Sequence, residues 1–312
     1  MKAIVFNKFG GPEVLEYVDM PVPVPGEGQL LIKVQAASVN PVDWKIRRGN
    51  LKFITGKKFP LQLGAEISGV VEKTGPGVSR FVVGQRVFAG LSYKGGGYAE
   101  YAVVPESNAI LIPDNIPFDV ASTFAVAGMT PLQAFRTHAK LEEGSRVLIN
   151  GASGGLGTYA VQIAKIMGLH VTAVCSSRNA ELVKSLGADE IIDYEKESFK
   201  TRINAFDCVL DSANNSSFGE CKKCLKKNGM FIKLNFSIGI LFTQFFSNIT
   251  PGRKAIMLLM KNSRQDLEWM RDHIAVGQIK VVIDRTYPLE KARDAHEYSE
   301  TGRARGKIVL IP

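Results

Sequence analysis

Cysteine is scarce in this chain: four residues among 312, Cys175, Cys208, Cys221 and Cys224, all in the second half. That is too few, and too poorly spread, for a disulfide framework, and a reducing cytoplasm is the simplest setting. Cys221 and Cys224 have the spacing of half a zinc site, but no second pair or histidine follows at a matching distance. They read as ordinary thiols on a helix turn. Long apolar runs are also missing. The nearest, Phe236 to Phe246, is too short to span a bilayer and contains Thr243 and Gln244. The opening MKAIVFNKFGGPEVLEY lacks the apolar core and small-residue cleavage site of a secretory signal. No membrane span and a cytoplasmic location are therefore expected. Acidic residues are in deficit, 30 against 39 Lys and Arg, for a formal charge of +9. The basic residues are scattered apart from Lys222, Lys223, Lys226 and Lys227, which read as a solvated helix face. RNA recognition calls for aromatic positions interleaved with a basic stripe, and these are missing. A positive field of this kind suits an anionic small ligand rather than nucleic acid.

What is present is an ordinary globular composition, 45% apolar and 22% charged, with length for about two domains. Residues 1 to about 120 are interrupted by Gly and Pro every few positions. Short β-rich pieces lie between the breaks, at Lys2–Phe6, Leu30–Ala37, Ile67–Lys73, Gln85–Phe88 and Tyr98–Val104, the pattern of a barrel-like β domain. Near Pro117 the texture turns helical, with Asp119 available as a cap. Strand and helix then alternate. Strands are expected at Arg146–Asn150, His170–Cys175, Glu190–Asp193, Cys208–Asp211 and Met230–Leu234. Helices are expected at Gly154–Met167, Asn179–Leu186 and Ser216–Leu225. This alternation predicts a parallel sheet with helices on both faces. Val281–Asp284 is the candidate sixth strand, and Lys307–Ile311 is expected to rejoin the first domain. The apolar run 236–248 after the fifth strand reads first as core.

Asn150-Gly151-Ala152-Ser153-Gly154-Gly155-Leu156-Gly157 lies directly between the first strand of this alternation and a helix. Ala152, Ser153, Gly154, Gly155, Leu156 and Gly157 form a variant of the dinucleotide fingerprint. Its glycines allow a tight turn, close approach of a pyrophosphate and close helix–sheet packing, and the helix N-terminus presents free N–H groups. At the tip of the next strand, where an NAD site needs an acid, stand Cys175, Ser176, Ser177 and Arg178. Two hydroxyls and a guanidinium suit a 2′-phosphate, so NADP(H) is the expected cofactor. Tyr287-x-x-x-Lys291 matches a short-chain dehydrogenase Tyr–Lys spacing, but Pro288 fits poorly in mid-helix and the pair follows the nucleotide domain. It is a chance match.

Taken in order, VNPVDWKIRRG, GAEISGVVEKTGPGV, VGQRVFA, AGMTPLQAF, GASGGLG, LGADEIIDY and RGKIVLIP cover essentially the whole chain. In these blocks the chain resembles medium-chain dehydrogenases/reductases of the quinone oxidoreductase, or zeta-crystallin-like, group, and within it the plant chloroplast-envelope and bacterial branches. The resemblance implies an α/β protein in which a Rossmann NADP(H)-binding domain, 121–279, is inserted into a GroES-like mainly-β domain, 1–120 and 280–312, with the active site in the cleft between them. It also implies a homodimer or tetramer. Zinc-dependent members of the superfamily carry a ligand Cys near the position of Asn40 and a His where this chain has Ala65, so no metal site is expected. Asn40 is implied to lie beside nicotinamide and substrate, as a donor to a substrate carbonyl or as a turn residue before Pro41. Lys45 is implied to lend positive charge, and Asp43 to orient the loop. Thr130 is implied to approach the nicotinamide, Tyr194 to pack by the 2′-phosphate, and Lys307, with Arg303 or Arg305, to face the cofactor. The phenol usual in quinone reductases two residues after Gly49 is replaced by Leu51. The run 236–248 is implied to lie by the cleft and the subunit contact. The implied reaction is hydride transfer from NADPH to an apolar electrophile, a quinone or an α,β-unsaturated carbonyl. An NADP(H)-binding protein with a regulatory, structural or RNA-related role and little turnover is the alternative.

Overall fold

A computed structural model describes residues 1–56, 58–91, 95–234 and 238–312. The chain divides into two units, Met1–Val126 with Asn262–Val276 and Ile283–Pro312, and Ala127–Lys261 with Gly277–Val282. The sequence boundaries at 120 and 280 thus differ in one substantial piece, residues 262–276.

The first unit opens with β1 (Lys2–Phe6), β2 (Leu15–Asp19), β3 (Gln29–Val39), α1 (Pro41–Arg47), α2 (Lys52–Thr55), β4 (Leu61–Gln62), β5 (Glu66–Thr74), β6 (Arg86–Gly90), β7 (Tyr101–Pro105), β8 (Ala109–Leu111) and α3 (Phe118–Ala121). β1 is the centre of a three-stranded sheet between β2 and β4. The long β3 pairs antiparallel with both β5 and β7, and its pairing with β5 shifts register twice. Such irregularities bend a strand and tighten its twist, which suits a barrel-like sheet. Ile4, Phe6, Leu30, Ile32, Val34, Ile67, Val87 and Leu310 share one buried cluster. Asp119 does not cap α3. The cap position is Pro117, and the Asp119 carboxylate accepts the adjacent Val120 N–H at 2.8 Å instead.

The second unit carries α4 (Thr130–Gln133), β9 (Arg146–Asn150), α5 (Gly155–Ile166), β10 (His170–Cys175), α6 (Ala180–Ser185), β11 (Glu190–Asp193), β12 (Phe206–Asp211), α7 (Phe218–Cys221), β13 (Leu225–Lys233), α8 (Ile238–Ile249) and β14 (Lys254–Met257). Its six strands lie in the order β11-β10-β9-β12-β13-β14, all parallel. The chain therefore starts in the middle of the sheet at β9, builds outward on one side and crosses to β12 for the other. That crossing leaves the crevice where open α/β sheets bind ligands, outside the carboxyl ends of the strands.

Three expectations need correction here. The sixth strand is β14, not Val281–Asp284, because the short KAIM segment offers only two central apolar residues as a signal. The helix expected at 216–225 is the single turn α7. β13 begins at Leu225 and carries Lys226 and Lys227, so these lysines do not share a helix face. The run 236–248 is core in its described part only at Ile240, which joins the buried cluster of the second unit. Phe236 and Ser237 lie outside the described residues, and α8 turns Phe242, Phe245 and Phe246 outward.

The chain ends with α9 (Arg264–Ala275), β15 (Ile283–Pro288), α10 (Ala292–Glu300) and β16 (Lys307–Ile311). α9 joins the first unit because it packs on β8, where Asn115 also donates to the Ala275 carbonyl at 2.8 Å. β15 pairs parallel with β16, and β16 pairs antiparallel with β3, Val309 opposite Ser38. The C-terminal strand thus returns to the N-terminal domain, as its β-rich texture predicts.

Candidate active site

The candidate nucleotide site of the second unit is built around the loop from β9 to α5. Gly151 adopts φ +84°, a left-handed conformation that favours glycine. At Gly157, a Cβ would stand 2.2 Å from the Gly151 carbonyl oxygen, so only glycine lets the helix sit this close to the turn. At Gly154, the N-cap, a Cβ would meet nothing nearer than 3.5 Å. The backbone is therefore open on that side, where a phosphate group can approach. The N–H groups of Gly155, Leu156 and Gly157 form the first turn of α5 and have no acceptor within the helix. This is an anion cradle, and it fits a pyrophosphate. Ala152 is fully buried under it, and the Ser153 hydroxyl accepts from Asn179 Nδ2 at 3.0 Å, fastening the cradle to the loop after β10. At the paired carboxyl ends of β9 and β12, Asn150 Nδ2 donates to Asp211 Oδ1 and Asn215 Oδ1, both at 2.8 Å. Burial raises the Asp211 carboxyl pKa.

The tip of β10 carries Cys175, whose thiol is pushed up to about 11 by burial and is inert near neutrality. Ser176 is buried, whereas Ser177 and Arg178 are exposed. Tyr194 stands beside them, its N–H bonded to the Cys175 carbonyl at 3.3 Å and its ring largely exposed. The same strand end brings an acid. The Ser177 hydroxyl donates to Asp193 Oδ2, which also faces Lys196 at 3.5 Å. This bond, with the Glu195 N–H, holds the Asp193 carboxyl below its ordinary pKa. Asp193 is a site residue that sequence reasoning missed, because it arrives from β11 rather than from the tip that was searched. Thr130 lies buried at the start of α4, which packs against α5.

The remaining sequence-predicted residues lie in the first unit and are described there by themselves. Asn40 caps α1, and its own N–H donates back to Asp43 Oδ2 at 2.8 Å. Asn40 Nδ2 donates to Ser38 Oγ at 3.1 Å and to Glu66 Oε1 at 2.9 Å, and its Oδ1 accepts from Lys307 Nζ at 2.6 Å. Lys307 also meets Glu66 Oε1 at 3.3 Å, and Glu66 Oε2 accepts the Val126 N–H at 2.8 Å. All four side chains are buried. Two expectations change as a result. Both amide hydrogens of Asn40 are already committed, so in this arrangement it is a structural residue and has none for a substrate carbonyl. Lys307 does not present its ammonium to a pyrophosphate, because it neutralises Glu66 inside the domain. A buried carboxylate needs such a counter-charge and donors. Glu66 was legible only as a charge inside the apolar strand pattern GAEISGVV.

Asp43 ties this loop together. Its carboxylate accepts from Asn40 N, from Gly64 N at 3.2 Å and from Tyr98 Oη at 3.1 Å, and burial pushes its pKa up to about 6. Lys45 is half-buried with its Nζ 5.4 Å from the Trp44 ring centroid, and burial lowers its pKa. Among the described residues, no three His, Cys, Asp or Glu side chains come together as a metal site requires. The four cysteines are free, buried and confined to the second unit.

Two family descriptions match the chain, "Alcohol dehydrogenase GroES-like domain" over residues 26–114 and "Zinc-binding dehydrogenase" over residues 186–310. The second carries zinc in its name, but Asn40 and Ala65 supply no ligand where zinc-dependent members have Cys and His. The chloroplast envelope quinone oxidoreductase homolog of Arabidopsis thaliana is 38% identical over 100% of this chain and 98% of its own length. The solved quinone oxidoreductase from Coxiella burnetii superposes with a TM-score of 0.93 at 33% identity, covering 100% of this chain and 99% of that one. The Escherichia coli quinone oxidoreductase complexed with NADPH superposes with a TM-score of 0.88 at 26% identity, covering 100% of both chains.

Proposed function

The chain belongs to the zinc-independent quinone oxidoreductase, zeta-crystallin-like group of the medium-chain dehydrogenases/reductases, and from that premise we propose that it transfers hydride from NADPH to a small apolar electrophile, a quinone or the β-carbon of an α,β-unsaturated carbonyl. The observation that carries this reading is the anion cradle at Gly154–Gly157, with Arg178 and Tyr194 at the next strand tip. Bound NADPH supplies the hydride. The chain supplies position and charge. The first-turn N–H groups of α5 hold the pyrophosphate, and Arg178 with Ser176 and Tyr194 holds the 2′-phosphate. Hydride arrival leaves negative charge on the substrate oxygen, and Lys45 is the residue we assign to meet it. Its lowered pKa supports a second role, proton delivery to that oxygen. Asn40 and Asp43 shape the loop on which Lys45 stands.

The homodimer or tetramer is part of this reading on the strength of the family likeness alone. The free thiols support a reducing, cytoplasmic setting.

The test follows NADPH and NADH oxidation with quinones, enones, aldehydes and alcohols, with and without chelator. Chelator-resistant NADPH oxidation by a quinone or an enone is the expected result, and the better acceptor identifies the substrate class. Lys45→Gln is expected to lower kcat about 100-fold with the NADPH KM unchanged, and Lys45→Arg to retain most of the rate. Tight NADPH binding with no turnover of any acceptor would move the binding-protein reading to first place.

A further inference from the structure

A carboxylate stands one strand away from the tip of β10. Parallel pairing sets Asp193, the last residue of β11, opposite Cys175, the last residue of β10. Neighbouring strands lie about 4.8 Å apart, so the Asp193 side chain is delivered beside Ser176, Ser177 and Arg178. The contact is direct. The Ser177 hydroxyl donates to Asp193 Oδ2, and the Glu195 N–H donates to Asp193 Oδ1 at 3.0 Å. The Asp193 carbonyl accepts the Lys196 and Glu197 N–H groups, both at 3.0 Å, so the turn after β11 folds back over its own acid.

This acid is fixed and its counter-ion is not. Two donors pin the Asp193 carboxylate, which is 14% exposed, whereas the Lys196 side chain 3.5 Å away is 75% exposed. An ion pair with one long, solvated partner contributes little, so Lys196 offsets the carboxylate only in part. The Ser177 bond and the Glu195 N–H keep the group ionised near neutrality. Ser177 gives its proton to this carboxylate and, so arranged, has none for a phosphate oxygen. Arg178 is exposed and makes no hydrogen bond or ion pair among the described residues, so Asp193 does not draw off its charge. The two strand tips thus set a cation that attracts a 2′-phosphate beside an anion that repels it.

We infer that Asp193 is a specificity-determining residue of the cofactor site. Its fixed negative charge weakens the hold on the 2′-phosphate and so limits how far NADPH is preferred over NADH, and Lys196 is the counter-ion that moderates the effect. NADH carries a hydroxyl where NADPH carries the phosphate and meets no such repulsion. This role for Asp193 rests on the reading of Arg178, Ser176 and Tyr194 as the 2′-phosphate site.

Fluorescence titration of the full chain with NADPH and with NADH tests it. Asp193→Asn removes the charge and keeps an oxygen for the Glu195 N–H. It is expected to lower the NADPH dissociation constant about fivefold and to leave that of NADH within about twofold. Lys196→Gln is expected to raise the NADPH constant about threefold, with NADH again unaffected. The gain in Asp193→Asn should shrink at high salt, where charges act over a shorter distance. A change in the shape of the turn would affect both cofactors and ignore salt. Asp193→Ser, which also removes the charge, replaces Asp193→Asn if that variant melts early. Unchanged NADPH affinity on neutralising Asp193 overturns the inference, as does a gain shared equally by NADH. Arg178→Ala separates the two levels of failure. If it binds NADPH as well as wild type, the phosphate site itself is misplaced and the role of Asp193 falls with it. If it binds NADPH more weakly while the Asp193 variants match wild type, only the role of Asp193 is lost.

Discussion

Lys307 and Glu66 sit in one buried network with Asn40 and Ser38, and the pair is sensitive to losing either member. Removing the ammonium in Lys307→Met leaves a carboxylate with no counter-charge, expected to cost about 3–5 kcal/mol in urea unfolding. Adding Glu66→Gln to that variant should recover a large part of the loss. If Lys307→Met unfolds at the wild-type midpoint, the pair is not what holds β16 to β3. The cofactor end behaves differently, because Arg178 is exposed and its removal leaves no buried charge. Arg178→Ala is expected to raise the NADPH KM about tenfold and leave the NADH KM within about twofold, with no change in melting temperature. The hydroxyls and guanidinium at the β10 tip were readable in sequence because that tip follows the glycine turn by a fixed stretch of strand. Asp193 was not, because its place beside Ser177 depends on the pairing of β10 with β11.

At the scale of the element, the glycine turn separates packing from binding. Gly157→Ala puts a methyl group 2.2 Å from a backbone oxygen, so α5 has to move away from the turn. A clear drop in melting temperature and loss of NADPH binding should appear together. Gly154→Ala puts the same methyl in ordinary contact 3.5 Å from the Gly151 carbonyl oxygen, at φ −79° and ψ 174°, which any residue adopts. Its melting temperature should match wild type while NADPH affinity falls, read by fluorescence titration. Equal NADPH affinity for Gly154→Ala and wild type would remove this turn from the phosphate site. The strand–turn–helix was visible in sequence because apolar period and glycine position are local properties. α8 was misread for the opposite reason. Its apolar stripe is a valid core signal, and only the unpaired edge of β14, distant in pattern if not in sequence, selects the polar face for the inside.

Over the whole molecule, two buried groups set the acid response in opposite senses. His296 is fully buried with no hydrogen-bond partner at either ring nitrogen among the described residues, and burial, with the nearby Arg47 charge, lowers its pKa from 6.5 to about 3. Between those values the unfolded chain holds a proton that the folded chain refuses, so stability falls as pH drops through that window. Asp43, raised from 3.8 to about 6, keeps its proton longer when folded, so its contribution runs the other way over the narrower window between those values. Stability of the wild type relative to His296→Leu should therefore fall by about 1.4 kcal/mol per pH unit on acidification below 6.5 toward 3. Parallel curves for the two proteins would show that His296 titrates normally. The sequence by itself determined the two textures, the insertion of one domain in the other, the nucleotide turn and the lack of zinc ligands, because each follows from local period, glycine placement or residue type. Only the tertiary structure decided which charges are spent internally. Asn40 with Lys307 and Ser177 with Asp193 are paired across distances in sequence, and a buried or edge polar group takes whichever partner the fold brings within hydrogen-bond reach.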